Sequence, residues 1–321
     1  MSDAIQPRPM RDTFLESLHE LMLSDPEIFF VSGDFGSPVL DRIRSDCPKR
    51  FLNVGIAEQN LINVSAGLAL EGFKVFAYAI APFLTMRCFE QIRVSLGLLS
   101  EVRPMNVNLI GVGAGYSYVV SGPTHQCYED LTLMRSLPNM RVISVSDQTL
   151  AAAMPRVATE NNGLKYFRLD AQVLPIIYEN VDESIGDGFH YHNKGKKICL
   201  VSTGYMSHSA FKVAERLAGK GIDVGVIDIF DLSCLNNNKL ELILAQYEAI
   251  VSLEEGFSGK GGLDAMMFNY ISDRQLGIKL VNVGVRGGYR FEIGSREELH
   301  ERVGIGVNAI TKKILALESK L

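Results

Sequence analysis

Short apolar runs alternate with longer amphipathic stretches along nearly the whole chain, and that alternation limits the fold more than any other feature. Residues 29–32, 75–78, 106–110 and 142–145 are compact and rich in Val, Ile and Phe, and read as buried strands. Between them, residues 10–24, 58–71, 86–98 and 148–160 space their apolar side chains as helices do. A second cycle follows a polar, turn-rich stretch at 182–197. It has strands predicted at 198–202, 224–227, 249–252 and 279–282 and helices at 209–220, 239–247, 262–274 and 307–318. Strands buried on both faces and joined through helices build mostly parallel sheets. The expectation is an α/β chain of two consecutive mostly parallel-sheet domains, residues 1–185 and 186–321, with 321 residues enough for both.

Composition narrows the partners. A net charge of -5 argues against a nucleic-acid or anionic-membrane surface, either of which needs a basic stripe. No apolar run reaches the roughly 18 residues of a membrane span. The first residues lack the basic-then-apolar pattern of a secretory leader, so a cytoplasmic location is expected. Five cysteines, none in a Cys-x-x-Cys pair, point to neither a disulfide framework nor a zinc site.

The strongest local signal is Asn53-Val-Gly-Ile-Ala-Glu58-Gln-Asn60, where a strand end passes into the helix predicted over 58–71. Glu58 falls in the first helical turn, where the backbone dipole favours negative charge. Taken alone, that position says only that an acid caps a helix. Two further strings join it: Pro82-Phe83-Leu-Thr-Met-Arg-Cys-Phe89-Glu-Gln, and Ser121-Gly-Pro-Thr-His125-Gln126 followed by Arg135 and Pro138-Asn139.

Together these strings resemble the pyrimidine-binding and C-terminal domains of the transketolase family over about residues 10–315. The resemblance implies thiamine diphosphate as cofactor, with Glu58 hydrogen-bonded to N1′ of its aminopyrimidine and so promoting loss of the thiazolium C2 proton. It implies Phe83, or else Phe89, as the aromatic stacked on that ring, with a one-residue register shift that would substitute Leu84. His125 takes the role of a proton-transfer and substrate-orienting group. Arg168, Arg11 and Ser37 match family contacts to a substrate phosphate, a task suited to the planar guanidinium fork.

Two positions depart from the family pattern. Transketolases place an aspartate before Gly-Pro-Thr-His-Gln, where this chain has Ser121, and a phosphate-binding histidine eight residues earlier, where it has Gly113. The usual sugar phosphates are therefore in question as substrates, and Ser121 becomes a candidate substrate contact. The Glu254-Glu255-Gly256 turn resembles the family's C-terminal Glu-Glu-His turn without its histidine.

The family's metal and diphosphate motif, Gly-Asp-Gly with a distant Asn, is not matched by Gly186-Asp187-Gly188, which lies in the turn-rich stretch with Asn193 too close behind. His190 and His192 beside it are expected in solvent. No metal ligands are assigned to this chain. Mg2+ or Ca2+ and the diphosphate are expected on a separate N-terminal-half subunit, in an α2β2 assembly. The implied function is the β-type subunit of a transketolase that moves a two-carbon ketol unit between sugars and is active only with its partner. Two alternatives share parts of this reading: a 2-oxoacid dehydrogenase β chain or half of a deoxyxylulose-phosphate synthase-like enzyme, and a non-enzymatic scaffold.

Overall fold

The structure is a computed structural model that describes residues 6–321; part of the segment read for a leader lies outside the described residues. The first sheet's elements run in the order α1 (Met10–Ser24), β1 (Ile28–Ser32), α2 (Pro38–Asp46), β2 (Phe51–Asn53), α3 (Glu58–Leu70) and β3 (Lys74–Ile80). A mixed helical segment follows, then β4 (Asn106–Val112), a short helix, β5 (Met140–Ser144), α4 (Gln148–Glu160) and β6 (Gly163–Leu169). Six parallel strands lie in the order β2-β1-β3-β4-β6-β5. β4 and nearly all of β3 and β6 are buried, the signature of a sheet covered on both faces.

The second sheet comprises β7 (Phe189–Asn193), β8 (Ile198–Ser202), β9 (Val224–Ile229), β10 (Ala249–Phe257) and β11 (Lys279–Val285), ordered β11-β10-β8-β9-β7. Its edge strand β7 runs antiparallel to β9 and was not expected; the sequence there reads as a polar linker. The cause is a polar composition in a strand that is nonetheless partly covered on both faces. Phe189 is buried, while His190 and His192 are half-buried against Tyr178, Phe211 and each other. The expectation that both histidines are solvated is therefore corrected. Burial lowers the pKa of His192 to about 3 and also lowers that of His190.

Gly186-Asp187-Gly188 is a structural turn. Asp187 accepts hydrogen bonds from the Asn236 amide and the Lys239 ammonium. Gly188, at φ +74, leaves no room for a Cβ, which would lie 2.1 Å from the Cys234 carbonyl oxygen.

The two sheets share an interior. Ser144 N–H donates to the Phe230 carbonyl at 2.7 Å, and Leu232 N–H donates to Val142 at 2.9 Å, so the edge of β5 is hydrogen-bonded to the segment after β9. Asp170, Glu255, Arg296 and His300, all buried, form one ionic cluster across the two sheets. Arg296 lies 2.7 Å from Asp170 and 2.6 Å from Glu255, and His300 lies 2.7 Å from Glu255. Burial opposes ionisation of the Glu255 carboxyl, but the Arg296 charge and the hydrogen bond with His300 hold it well below the usual carboxylate range.

Candidate active site

The candidate residues lie beyond the carboxyl ends of the first sheet's strands, where open parallel sheets place their ligands. After β2, Asn53 turns the chain: its amide donates to Asp34 at 2.8 Å while its carbonyl oxygen accepts from Gly55 N–H at 2.8 Å. Gly55, at φ +76, takes the left-handed conformation that reverses the backbone. Glu58 then opens α3 with its side chain only 3% exposed, whereas Ile56 beside it is 76% exposed. A carboxyl buried at a helix N-terminus needs a hydrogen-bond donor. That donor is Arg87, whose Nη1 lies 2.7 Å from Glu58 Oε2.

Arg87 ends a π-helical turn, Phe83–Arg87, that follows β3. A continuous helix over 86–98 was expected. Instead a short α-helical stretch, Phe89–Gln91, separates that turn from a second π segment, Ile92–Leu98. π turns insert one residue and cluster at functional sites. The insertion bears on the stacking register. Leu84 points into the core with no exposure, while Phe83 stays half-buried under the Arg87 guanidinium, 4.8 Å from its ring centroid. Phe89 is directed elsewhere, into a separate groove with Arg93, Leu98 and Asn139. Burial and the Glu58 charge push the neighbouring Cys88 thiol up to about 12, so it stays protonated.

His125 approaches from the loop after β4. That loop is tied at its base by Gly115 and Cys127, which exchange backbone hydrogen bonds of 3.0 and 2.9 Å. The His125 ring meets Phe83 edge-on with centroids 5.2 Å apart, and Thr124 Oγ1 holds its Nδ1 at 3.0 Å. Tyr118 meets the other side of His125 at 6.1 Å. The Tyr118 ring fills the space a side chain on Gly113 would need: a Cβ there would lie 2.1 Å from Tyr118 Cε2, and Gly113 sits at φ +105. A histidine at Gly113 would have to displace the Tyr118 ring and adopt a strained left-handed backbone. Ser121 is exposed on the same loop.

Arg11 and Ser37 lie near each other and are joined through Asp12. Arg11 Nε is 2.8 Å from Asp12 Oδ1, and the Ser37 hydroxyl donates to that oxygen at 2.9 Å while capping α2 through Val39 N–H. Arg168 is a correction. Its side chain is 2% exposed, and its Nε lies 2.7 Å from Asp130 Oδ2, which also accepts from Tyr166. An arginine sealed in the core against its own carboxylate is not open to a substrate phosphate.

The structure therefore gathers Glu58, Phe83 and His125, and brings Arg11 and Ser37 together. It separates Phe89 and Arg168 from that group. Sequence reasoning left Arg87 and Tyr118 without a role, although both lie in or beside the quoted strings. The spacing of Arg87 four residues after Phe83 was the available signal. A cleft of about 820 Å³ lies between Tyr128, Phe257 and Tyr289. Glu58, Phe83 and His125 are absent from its lining, so chemistry rather than size locates the site.

A buried carboxyl beside a half-open aromatic face suits an aminopyrimidine, which needs one hydrogen bond to an acid and one stacking surface. Among the described residues, no group of three or more His, Cys, Asp and Glu could hold a metal ion.

Residues 6–176 match the family described as transketolase, pyrimidine binding domain, and residues 188–310 match transketolase, C-terminal domain. One subunit of an apulose-4-phosphate transketolase, from Actinobacillus succinogenes, is 30% identical over 84% of this chain and 85% of its own length. The like-named subunit from Phocaeicola vulgatus is 26% identical over 97% of each. A solved structure described as a split gene transketolase, inactive beta4 tetramer, superposes with a TM-score of 0.84 at 28% identity, covering 97% of this chain and 98% of that one. With both domain families matched in order over most of its length, the chain belongs to the transketolase family.

Proposed function

We propose that this chain is the β-type subunit of a thiamine-diphosphate-dependent transketolase, transferring a two-carbon ketol unit between phosphorylated or otherwise modified sugars. It divides into a pyrimidine-binding domain, 1–185, and a C-terminal domain, 186–321. The observation that carries the reading is the convergence of buried Glu58 with the half-open Phe83 ring and His125, on a chain that matches two transketolase domains in order.

In this reading Glu58 hydrogen-bonds the aminopyrimidine and Phe83 supports its face. Bound thiamine diphosphate supplies the nucleophilic carbon that cleaves the donor ketose. With Nδ1 held by Thr124, His125 is left with Nε2 to exchange protons with substrate hydroxyls. Arg11 and Ser37 serve the distal end of the sugar, and Ser121 lies at the loop edge beside it. Tyr118, in the space beside Gly113, offers a neutral phenol where transketolases present a histidine.

The diphosphate and its Mg2+ or Ca2+ are assigned to a partner subunit carrying the N-terminal half, in an α2β2 complex in the cytoplasm. Exposed Ile56 and Met86, beside Glu58 and Arg87 in the chain, support a surface that a second subunit covers. The beta4 tetramer described as inactive for the similar split-gene protein fits a β chain that lacks activity without its partner.

The test is reconstitution. The chain is co-purified with the N-terminal-half subunit and assayed for thiamine diphosphate binding and for ketol transfer from a ketose phosphate to an aldose. Binding and transfer by the complex, with neither by the chain alone, are expected. Pyruvate turnover without ketose cleavage would replace this reading with the 2-oxoacid one.

A further inference from the structure

Arg87 makes both contacts that an aminopyrimidine ring would make here. Its Nη1 donates to Glu58 Oε2 at 2.7 Å, and its guanidinium carbon lies 4.8 Å from the Phe83 ring centroid. A guanidinium is flat, delocalised and rich in N–H donors, so it can stack on an aromatic face while donating to a carboxylate. From this geometry we infer that Arg87 is a built-in occupant of the pyrimidine site, one that holds Glu58 and Phe83 in the free subunit and leaves when the cofactor ring enters. The inference rests on the pyrimidine-site reading of Glu58 and Phe83.

Asymmetric exposure is what lets Arg87 leave. Its side chain is 45% exposed, while the Glu58 side chain is 3% exposed. Among the described residues, the one side-chain hydrogen bond of Arg87 is the one to Glu58. Its long stem and its place at the end of a π turn let the head swing into solvent without disturbing β3 or the core. Glu58, fixed at the start of α3, stays in place. The buried carboxyl therefore always has a hydrogen-bond partner: Arg87 donates to it before the cofactor arrives, and it shares a proton with N1′ of the aminopyrimidine afterwards.

Cofactor binding is then gated. Only the fraction of subunits with Arg87 displaced is competent, and the apparent affinity falls by that fraction. Arg87 is a positioning residue that competes with the cofactor, so removing it tightens binding.

The experiment uses the complex reconstituted with the partner subunit. It measures thiamine diphosphate affinity by calorimetry and association by stopped-flow fluorescence. The proteins compared are wild type, Arg87→Ala, Arg87→Met, Glu58→Gln and the Arg87→Met/Glu58→Gln pair. Both single Arg87 variants are expected to bind roughly three- to tenfold more tightly. The wild-type association rate levels off as cofactor concentration rises, because displacement becomes limiting, and the variants' rate keeps rising linearly. In the Glu58→Gln background the Arg87→Met change alters affinity by less than about twofold, the ion pair being already absent.

Arg87→Met keeps the stem over Phe83, so the question stays answerable even where Arg87→Ala does not fold. Equal or weaker binding by Arg87→Met, with a concentration dependence like that of wild type, overturns the gating inference and leaves the pyrimidine site standing. A wild-type complex that binds no thiamine diphosphate overturns both.

Discussion

Replacing Arg168 separates the two roles open to that arginine. Its guanidinium and the Asp130 carboxylate are sealed together, with side chains 2% and 0% exposed, and are joined at 2.7 Å. Asp130 Oδ2 also accepts from the Tyr166 hydroxyl at 2.8 Å, while Asp130 Oδ1 has no hydrogen-bond partner. Arg168→Met keeps most of the stem volume and removes the charge, leaving a buried carboxylate supported by one phenol. Breaking such a pair from one side costs about 3–5 kcal/mol. For a chain of 321 residues, unfolding entropy of about 2.1 cal/mol/K per residue turns 4 kcal/mol into a Tm lowered by about 6 °C. The assay is urea unfolding of the chain alone, followed by circular dichroism at pH 7 without sugar or phosphate. Arg168→Met/Asp130→Asn, which removes both charges, is expected to recover about half or more of the loss. A single variant within about 1 kcal/mol of wild type, combined with a KM for sugar phosphate raised tenfold or more, would refute the reasoning and return Arg168 to the substrate.

Two other substitutions probe neighbouring claims. Gly113→His is expected to cost about 2–4 kcal/mol in urea unfolding, from a left-handed backbone and the Tyr118 overlap, and to leave sugar-phosphate KM no lower than in wild type; adding Tyr118→Ala should recover only the overlap. His192→Phe should show its effect through pH. The buried imidazole titrates at about 3 in the folded chain against about 6.5 unfolded, so between those values the unfolded state binds the extra proton and stability falls as pH falls. Relative to wild type, the variant should gain about 1–2 kcal/mol between pH 7 and pH 5 in paired denaturation curves; a difference constant with pH contradicts the buried, neutral assignment.

The strands that were legible in the sequence are those buried on both faces and dominated by apolar side chains, such as β4 and β10. Burial on two faces writes itself as a compact, mostly hydrophobic run. β7 escaped because its residues look polar although Phe189 is buried and the histidines are half-buried. The helix Arg296–Val303 escaped for lack of an apolar stripe. Its signature was instead the capping box of Ser295 and Glu298 with Gly304 in the left-handed conformation at its end. The π insertion after β3 could not be read at all, since no residue type announces it, and it accompanies the placing of Leu84 in the core and Phe83 under Arg87. Arg168 misled for a different reason. A strand-end arginine looks the same in sequence whether its carboxylate partner is a neighbouring side chain or its anion a ligand, and Asp130 lies 38 residues away.

The account turns on Glu58, whose buried carboxyl is linked through Arg87 to the half-open Phe83 ring beyond the end of the parallel sheet. The most direct measurement is the rate of hydrogen–deuterium exchange at C2 of thiamine diphosphate in the complex with the partner subunit, using quenched-flow and proton NMR. It compares wild type with Glu58→Ala after cofactor binding has been verified for each. The account predicts exchange slower by about 10²–10⁴-fold in the variant, the contribution expected of a positioned proton-transfer group. Exchange at the wild-type rate in a Glu58→Ala complex that still binds the cofactor would contradict it.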